Sequence, residues 1–158
     1  MRWIEAANKY LGLREFKGPQ HNPTIVNWLV QLGAWWRDDE TPWCGVFVSA
    51  VLREVGIKPA SAFYRAKAWL SWGQALAAPA VGCVVVFERA GGGHVGFLVG
   101  RTPGGLLLVL GGNQGNEVNV RAFEQYRVLG YRWPEGEVLP RARPLPVMAS
   151  YRVTEGEA

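Results

Sequence analysis

Three side chains in this sequence could together perform nucleophilic catalysis. Cys44 opens an apolar run, His94 opens a β-rich run, and Asn113 follows another β-rich run. A cysteine nucleophile needs a base that takes the thiol proton and a third group that orients the base. The other histidine of the chain, His21, lies in a proline-flanked loop and has no predicted role, so His94 is the candidate base. These residues predict attack of a thiolate on an acyl or amide carbon.

Cys44 lies in the first turn of a predicted helix. Thr41 and Pro42 offer a hydroxyl cap and a first-turn proline, and Gly56 supplies a stop. The apolar positions between them follow the spacing of one buried helical face: Phe47, Val48, Val51, Leu52 and Val55. Unpaired N–H groups and the helix dipole favour a thiolate at this place. The alternative is that Cys44 packs as a small buried apolar residue.

His94 and Asn113 lie at the ends of two successive predicted strands. Alternation along the first strand puts His94 and Gly96 on one face, and the glycine leaves room beside the imidazole for the helix that carries Cys44. We expect Asn113 to accept the Nδ1–H of His94, which would leave Nε2 to take the thiol proton. The segment "GGNQG" is also a good turn. The alternatives for the orienting residue are Gln114, Asn116 and Glu117.

Further residues near the helix start are candidates for binding the substrate. Backbone N–H groups, including that of Cys44, would meet the oxyanion that forms during attack on a carbonyl. Asp39, Glu40 and Trp43 precede the cysteine directly and could shape this corner. We therefore predict substrate contacts for Trp43, Asp39 and Gln114.

The second cysteine, Cys83, begins the apolar run "CVVVF" and is predicted to be a core residue. A disulfide between Cys83 and Cys44 would block the nucleophile and is not expected in a reducing cytoplasm. The two cysteines and two histidines are zinc-ligand types, but they lack the paired short spacings of zinc sites. We predict no metal and no other cofactor.

The elements that must position these residues change character along the chain. The first half carries helical patterns at residues 3–12, 23–33 and 41–56 and in a short segment that ends at Gly73. The second half carries short β-rich runs between glycine and proline turns, at 83–87, 94–100, 106–112, 117–123, 131–133 and, as a further candidate, 147–153. Helices followed by an antiparallel sheet predict an α+β fold in one domain, 1–158. The proline- and arginine-rich residues 134–158 are predicted to form a peripheral extended tail.

Composition excludes several classes of protein. The 158 residues are 49% hydrophobic and 19% charged, which is typical of a folded globular chain. The net charge of +4 comes without a lysine- or arginine-rich run, so nucleic acid is not an expected partner, although a polyanion such as a cell wall is. No stretch approaches the roughly 20 apolar residues of a membrane span. The amphipathic start "MRWIEAANKYLGL" is not a secretory signal. We expect a monomer made in the cytoplasm without a signal peptide and without membrane insertion.

Five segments together resemble a known family: "WIEAANKYLGLREFKGPQHNP", "ETPWCGVFVSAVLREVG", "AWLSWG", "GHVGFLVG" and "GGNQGNEV". They look like the CHAP branch (cysteine, histidine-dependent amidohydrolases/peptidases) of the NlpC-like superfamily, in particular its small phage and bacterial proteins. The resemblance covers roughly Arg2 to Trp133. It implies a papain-like core with Cys44 as nucleophile, His94 as base and Asn113 as orienting residue. One departure is Cys83 in "GCVVVF", where such proteins often carry an aspartate.

The resemblance also implies an activity, a partner and a place of action. The implied activity is the cleavage of an amide bond, and the implied partner is bacterial peptidoglycan. The protein would act at the cell wall, as a phage lysin, a virion-borne hydrolase or a toxin delivered by a secretion machine. Two other functions stay open. One is a catalytically silent wall-binding or virion structural module, and the other is an acyl- or amide-transferring enzyme with the same nucleophile. The sequence leaves open whether the bond lies between muramic acid and alanine or inside the peptide.

Overall fold

A computed structural model of the chain describes residues 1–148, in which three helices precede an antiparallel sheet. The α-helices are α1 (Arg2–Asn8), α2 (Pro23–Leu32) and α3 (Cys44–Glu54), and two 3-10 helices span Ala66–Ser71 and Gln125–Arg127. The strands are β1 (Gln74–Leu76), β2 (Val84–Arg89), β3 (Gly92–Arg101), β4 (Leu107–Gly111), β5 (Asn119–Phe123) and β6 (Val128–Trp133). The predicted mixed α+β fold is confirmed. The short strand β1 was not predicted.

The sheet has the strand order β1-β6-β2-β3-β4-β5, and every neighbouring pair is antiparallel. Strands β2 to β5 follow one another as a meander, and β6 returns to pair with β2. The sheet curls strongly, since the rings of Phe87 on β2 and Phe123 on β5 stack with centroids 4.7 Å apart although two strands lie between them. His94 on β3 pairs in register with Phe87. The curl therefore places aromatic rings around the imidazole.

Helix α3 is the central helix of the fold. Eight of its eleven residues are buried, more than the single apolar face that the sequence predicted. It packs against α1 and α2 on one side and against β3 and β4 on the other. Phe47 is fully buried between these layers, with its ring 6.4 Å from that of Phe97 on β3. Burial of one such aromatic side chain stabilises the folded state by about 1.5–3 kcal/mol.

The helix ends agree with the sequence in part. Asn22 caps α2 by accepting a hydrogen bond from Thr24 N at 2.9 Å, and Gly33 ends this helix with φ +75°. The predicted cap of α3 at Thr41 does not form. The carboxylate of Asp38 instead accepts hydrogen bonds from the N–H groups of Glu40 (3.1 Å) and Thr41 (2.7 Å), which holds residues 38–41 in a turn. Helix α3 begins at Cys44, with Trp43 at its cap position and no side-chain cap.

The first helix is shorter than predicted and ends at Asn8. The chain beyond it pairs with a distant segment, because Gly12 N donates to Val118 O at 2.9 Å and Val118 N donates to Leu13 O at 2.8 Å. Because the backbone of residues 12 and 13 bonds to the segment just before β5, it cannot continue the helix.

The described part of the predicted tail, 134–148, has no helix, and its end is tied to the sheet. Arg101 N donates to Pro146 O and Met148 N donates to Arg101 O, each at 2.9 Å, which forms a parallel bridge at the end of β3. Leu145 is buried. The remainder of the candidate strand 147–153 lies outside the described residues. None of the helices within residues 1–148 combines the length and the apolar character that crossing a membrane requires.

Candidate active site

Cys44 is the first residue of α3, and its thiol borders a surface cleft. The residue is 5% exposed, and the cleft has a volume of about 410 Å³. The next residue must be small, because a Cβ at Gly45 would collide with the carbonyl oxygen of Phe63. Because Gly45 has no side chain, the first turn of α3 packs directly against the backbone at Phe63, before the first 3-10 helix. This close approach positions the cysteine.

Burial dominates the electrostatics of this cysteine. It raises the pKa of the Cys44 thiol, while the backbone N–H groups of Val95 and Gly45 and the charge of Arg89 act to lower it. The net direction is upward, so the resting residue is a protonated thiol. The sequence predicted a thiolate favoured by the helix start. That prediction is wrong. The start of the helix is buried against the sheet, and the effect of desolvation on the pKa of the thiol exceeds that of the N–H groups.

His94 is fully buried against aromatic rings. Its imidazole stacks on Phe123 with ring centroids 5.2 Å apart and an angle of 12° between the planes. Burial lowers the pKa of His94 to about 4, against the opposing effect of the hydrogen bond to Gln114. The ring is therefore neutral at physiological pH. A neutral imidazole can accept a proton on one nitrogen only.

The hydrogen bond to Gln114 determines which ring nitrogen of His94 carries the hydrogen and which can accept a proton. The amide Nε2 of Gln114 donates to Val109 O (3.2 Å), Asn119 O (2.9 Å) and Asn119 Oδ1 (2.9 Å). Because three acceptors surround the NH₂ group, the amide oxygen must face the histidine, and it accepts a hydrogen bond from His94 Nε2 at 2.9 Å. The Nδ1 atom thus carries the free lone pair. It is buried and has no hydrogen-bond partner in the described part of the chain.

The sequence predicted Asn113 for this hydrogen bond, and Nδ1 as the nitrogen that makes it. The structure gives this bond to Gln114, through His94 Nε2, so the predicted hydrogen bond from His94 to Asn113 is wrong. Asn113 has φ +57°, in the left-handed region where asparagine is favoured, and turns the chain at the end of β4. The turn directs the following side chain, Gln114, back beneath β4. Gln114 is fully buried, and its side-chain bonds go to protein groups.

Cys44 and His94 are brought together at β3 without a direct hydrogen bond between them. The thiol lies against the N–H of Val95, the residue after His94, and the charge of Arg89 lowers the pKa of both groups. Hydrogen bonds of catalytic pairs are often formed only in the substrate complex. The arrangement offers a neutral thiol at the start of α3 and, on the strand packed against that helix, a neutral imidazole with a free lone pair.

Asp39 and Trp43, the other predicted substrate contacts, have structural partners. The fully buried Asp39 carboxylate accepts hydrogen bonds from Phe16 N (2.6 Å) and Asn22 N (2.8 Å) and contacts His21 Nδ1 at 3.0 Å. Burial raises the pKa of Asp39, but these hydrogen bonds outweigh it and the net pKa is lowered. The indole of Trp43 is buried and donates to Glu15 Oε1 at 3.1 Å. Both residues hold the loop before α3, and neither lines the cleft.

The residues that do line the cleft were missed by sequence reasoning. Besides Pro42 and Cys44 they include Tyr64, Arg65, Lys67, Arg89 and the hairpin turn 90–93. Their separation along the chain hides their proximity, since it depends on the 3-10 helix packing against the β2–β3 hairpin. The run "ERAGGG" was the one available signal, because a glycine-rich turn next to the base leaves an open approach.

Cys83 and the possible metal ligands lie apart from this chemistry. Cys83 is a free cysteine with no exposed surface, and burial raises its pKa to about 12. Cys44 is also free, so the two form no disulfide. Among residues 1–148 no group of three or more histidine, cysteine, aspartate or glutamate side chains is arranged to hold a metal ion.

Comparisons with known proteins add no assignment to this site. No protein-family model matches the chain, and no curated protein matches it. The chemistry of the site therefore follows from the arrangement of Cys44, His94 and Gln114.

Proposed function

We propose that this protein is a cysteine hydrolase that cleaves an amide bond of bacterial peptidoglycan, with Cys44 as nucleophile, His94 as base and Gln114 as positioning residue. The observation that carries the proposal is the state of His94. Its Nε2 is fixed as a donor by Gln114, while its Nδ1 is buried without a described partner, one residue before Val95, whose N–H acts on the thiol of Cys44 at the cleft. A buried polar atom left unpaired costs free energy, which a catalytic role accounts for.

The architecture supports a papain-like core. A cysteine at the start of a central helix, a histidine on a strand packed against that helix, and an amide side chain on the histidine form the arrangement of papain-like cysteine hydrolases. The difference from the predicted triad is that glutamine supplies the amide in place of asparagine. Peptidoglycan as the substrate rests on the resemblance of the sequence to CHAP-type hydrolases and on its basic charge.

The reaction starts from a neutral pair. As the thiol sulfur attacks the amide carbon, its proton passes to His94 Nδ1, because the raised pKa of the thiol disfavours a preformed thiolate. Backbone N–H groups at the start of α3 stabilise the oxyanion. The C–N bond then breaks, the imidazolium gives its proton to the leaving amine, and a thioester remains on Cys44. Water, deprotonated by His94, cleaves the thioester and releases the carboxylic acid.

Digestion of purified cell walls tests the proposal. Wild type, Cys44→Ala and Cys83→Ala are compared for loss of turbidity, and mass spectrometry identifies the released fragments. We expect wild type and Cys83→Ala to release fragments with new amino termini or new lactyl ends, and Cys44→Ala to release none. Equal release by Cys44→Ala would overturn the assignment of the nucleophile. Binding of all three proteins to walls without release would favour a silent wall-binding module, and amide products formed with an added amine would favour a transferase.

A further inference from the structure

The cleft beside Cys44 is lined by positive charge. Arg65, Lys67 and Arg89 contribute to its walls, and none of its lining residues is an aspartate or a glutamate. Lys67 pairs with Glu88, whose carboxylate lies 2.9 Å from the ammonium group but outside the cleft wall. Within residues 1–148, no carboxylate pairs with Arg65 or Arg89. The cleft therefore presents two guanidinium groups without a protein counter-charge.

The position of these charges relates them to the reaction. Arg89 ends β2, and its charge acts on both the thiol of Cys44 and the imidazole of His94. Arg65 immediately precedes the 3-10 helix Ala66–Ser71, whose first residues also line the cleft, and is exposed. A guanidinium group binds a carboxylate through two parallel hydrogen bonds, which gives both affinity and orientation.

The floor of the cleft leaves room for an extended chain. The turn from Ala90 to Gly93 carries no large side chain, and a Cβ built at Gly92 would meet no atom within 4 Å. Gly92 also lies outside the left-handed region of φ, so other residues fit its backbone. A substrate chain can thus approach the backbone of this turn closely at Gly92.

We propose that this cleft selects substrates that carry a free carboxylate next to the scissile amide, with Arg89 and Arg65 as the residues that bind it. The inference rests on the proposed function and names its substrate class: acidic stem peptides of the wall, rather than peptides whose carboxyl groups are masked as carboxamides. It places the cut in or beside the peptide part of peptidoglycan.

Two synthetic stem peptides that differ in one group test the selection. One carries isoglutamate with a free carboxyl group next to the scissile bond, and the other carries isoglutamine there. We expect wild type to cleave the acid with a kcat/KM about tenfold or more above that of the amide, the effect of one charge-assisted hydrogen-bond pair. Raising the salt from about 50 mM to about 500 mM should reduce this ratio by screening.

Matched variants test whether Arg89 and Arg65 bind the carboxylate of the substrate. Arg89→Gln and Arg65→Gln should each reduce the acid-to-amide ratio. Arg53→Gln should leave it unchanged, because Arg53 lies about 13 Å along α3 from Cys44. Gly92→Asp should lower the ratio relative to Gly92→Asn, which has nearly the same shape without the charge. An acid-to-amide ratio near one in wild type, or equal ratios in the two Gly92 variants, would overturn the inference.

Binding to the inactive Cys44→Ala protein separates this inference from the proposed function. Calorimetry with the two peptides does not require cleavage. If the acid binds more tightly than the amide but wild type cuts neither, the cleft selects anions and the proposed hydrolysis fails. If wild type cuts both peptides equally and Cys44→Ala binds them equally, the hydrolase stands and the selection by Arg89 and Arg65 fails.

Discussion

Replacement of Gln114 by leucine tests how the base is held. The side chain keeps a similar size but removes the acceptor of the His94 Nε2–H and the donor to Val109 and Asn119. A buried N–H left without a partner costs about 1–3 kcal/mol. If this cost appears in the transition state, where the imidazole becomes an imidazolium, kcat/KM falls about 5- to 150-fold. We expect a loss in this range per folded molecule.

Asn113→Gly is the matched control. Glycine accepts the left-handed φ of +57° at this position, so the turn is kept while the neighbouring amide is removed. Release of dye from labelled cell walls gives the rate, and denaturant unfolding gives the fraction of folded protein for each variant. Asn113→Gly should retain wild-type activity, because its side chain makes no hydrogen bond to His94 in the described structure.

A second variant distinguishes positioning from mere structure. Gln114→Glu places a carboxylate beside the imidazole, which favours the imidazolium and raises the pKa of His94 from about 4. The acid limb of the pH–rate profile should move to higher pH, a change that loss of packing alone does not produce. Wild-type kcat/KM in Gln114→Leu, or an equal loss in Asn113→Gly, would refute the argument.

Three further predictions concern stability. The unfolded chain takes up a proton at its ordinary histidine pKa of 6.5, whereas folded His94 does so only near pH 4, so stability should fall by up to about 3 kcal/mol as the pH drops through this window. The effect should be absent in His94→Gln when both proteins are unfolded with urea at each pH. Asp39→Ala should lower the free energy of unfolding by about 2–4 kcal/mol by leaving two N–H groups unpaired, with little change in kcat per folded molecule; a large fall in kcat would instead indicate a substrate contact. Gly45→Ala should lower the thermal midpoint far more than Gly92→Ala, since only the former brings a Cβ against the Phe63 carbonyl; equal midpoints would contradict the close packing at the start of α3.

The sequence predicted the order of elements well, because their signals are local. The spacing of apolar residues after Cys44, the pattern of α2 up to Gly33, and the glycine-separated β runs each reflect interactions within a few residues. The end of α1 could not be predicted, since it depends on a bridge to Val118, more than 100 residues away in the chain. The missed strand β1 is three residues long and is defined by its pairing with β6.

The candidate nucleophile and candidate base could be selected from the sequence, whereas the residue that bonds to the histidine could not. Cys44 and His94 stand at element boundaries, which sequence patterns mark. Whether Asn113 or Gln114 faces the base depends on the φ of one turn residue and on the acceptors at Val109 and Asn119. The raised pKa of the Cys44 thiol could not be predicted from the sequence either. The helix start alone favours a thiolate, and only burial in the folded structure reverses this.

Alkylation of the two cysteines tests the central claim, that His94 activates Cys44, without needing a substrate. Native protein is treated with iodoacetamide at pH 7.5, and mass spectrometry follows the labelling of each cysteine in wild type and in His94→Gln, which can still bond to Gln114. We expect Cys44 to be labelled well before Cys83, and its labelling rate to fall about 100-fold or more in the variant, because general-base catalysis typically contributes about 10²–10⁴-fold. Labelling of Cys83 first, or an unchanged rate at Cys44 in His94→Gln, would contradict the activation of Cys44 by His94.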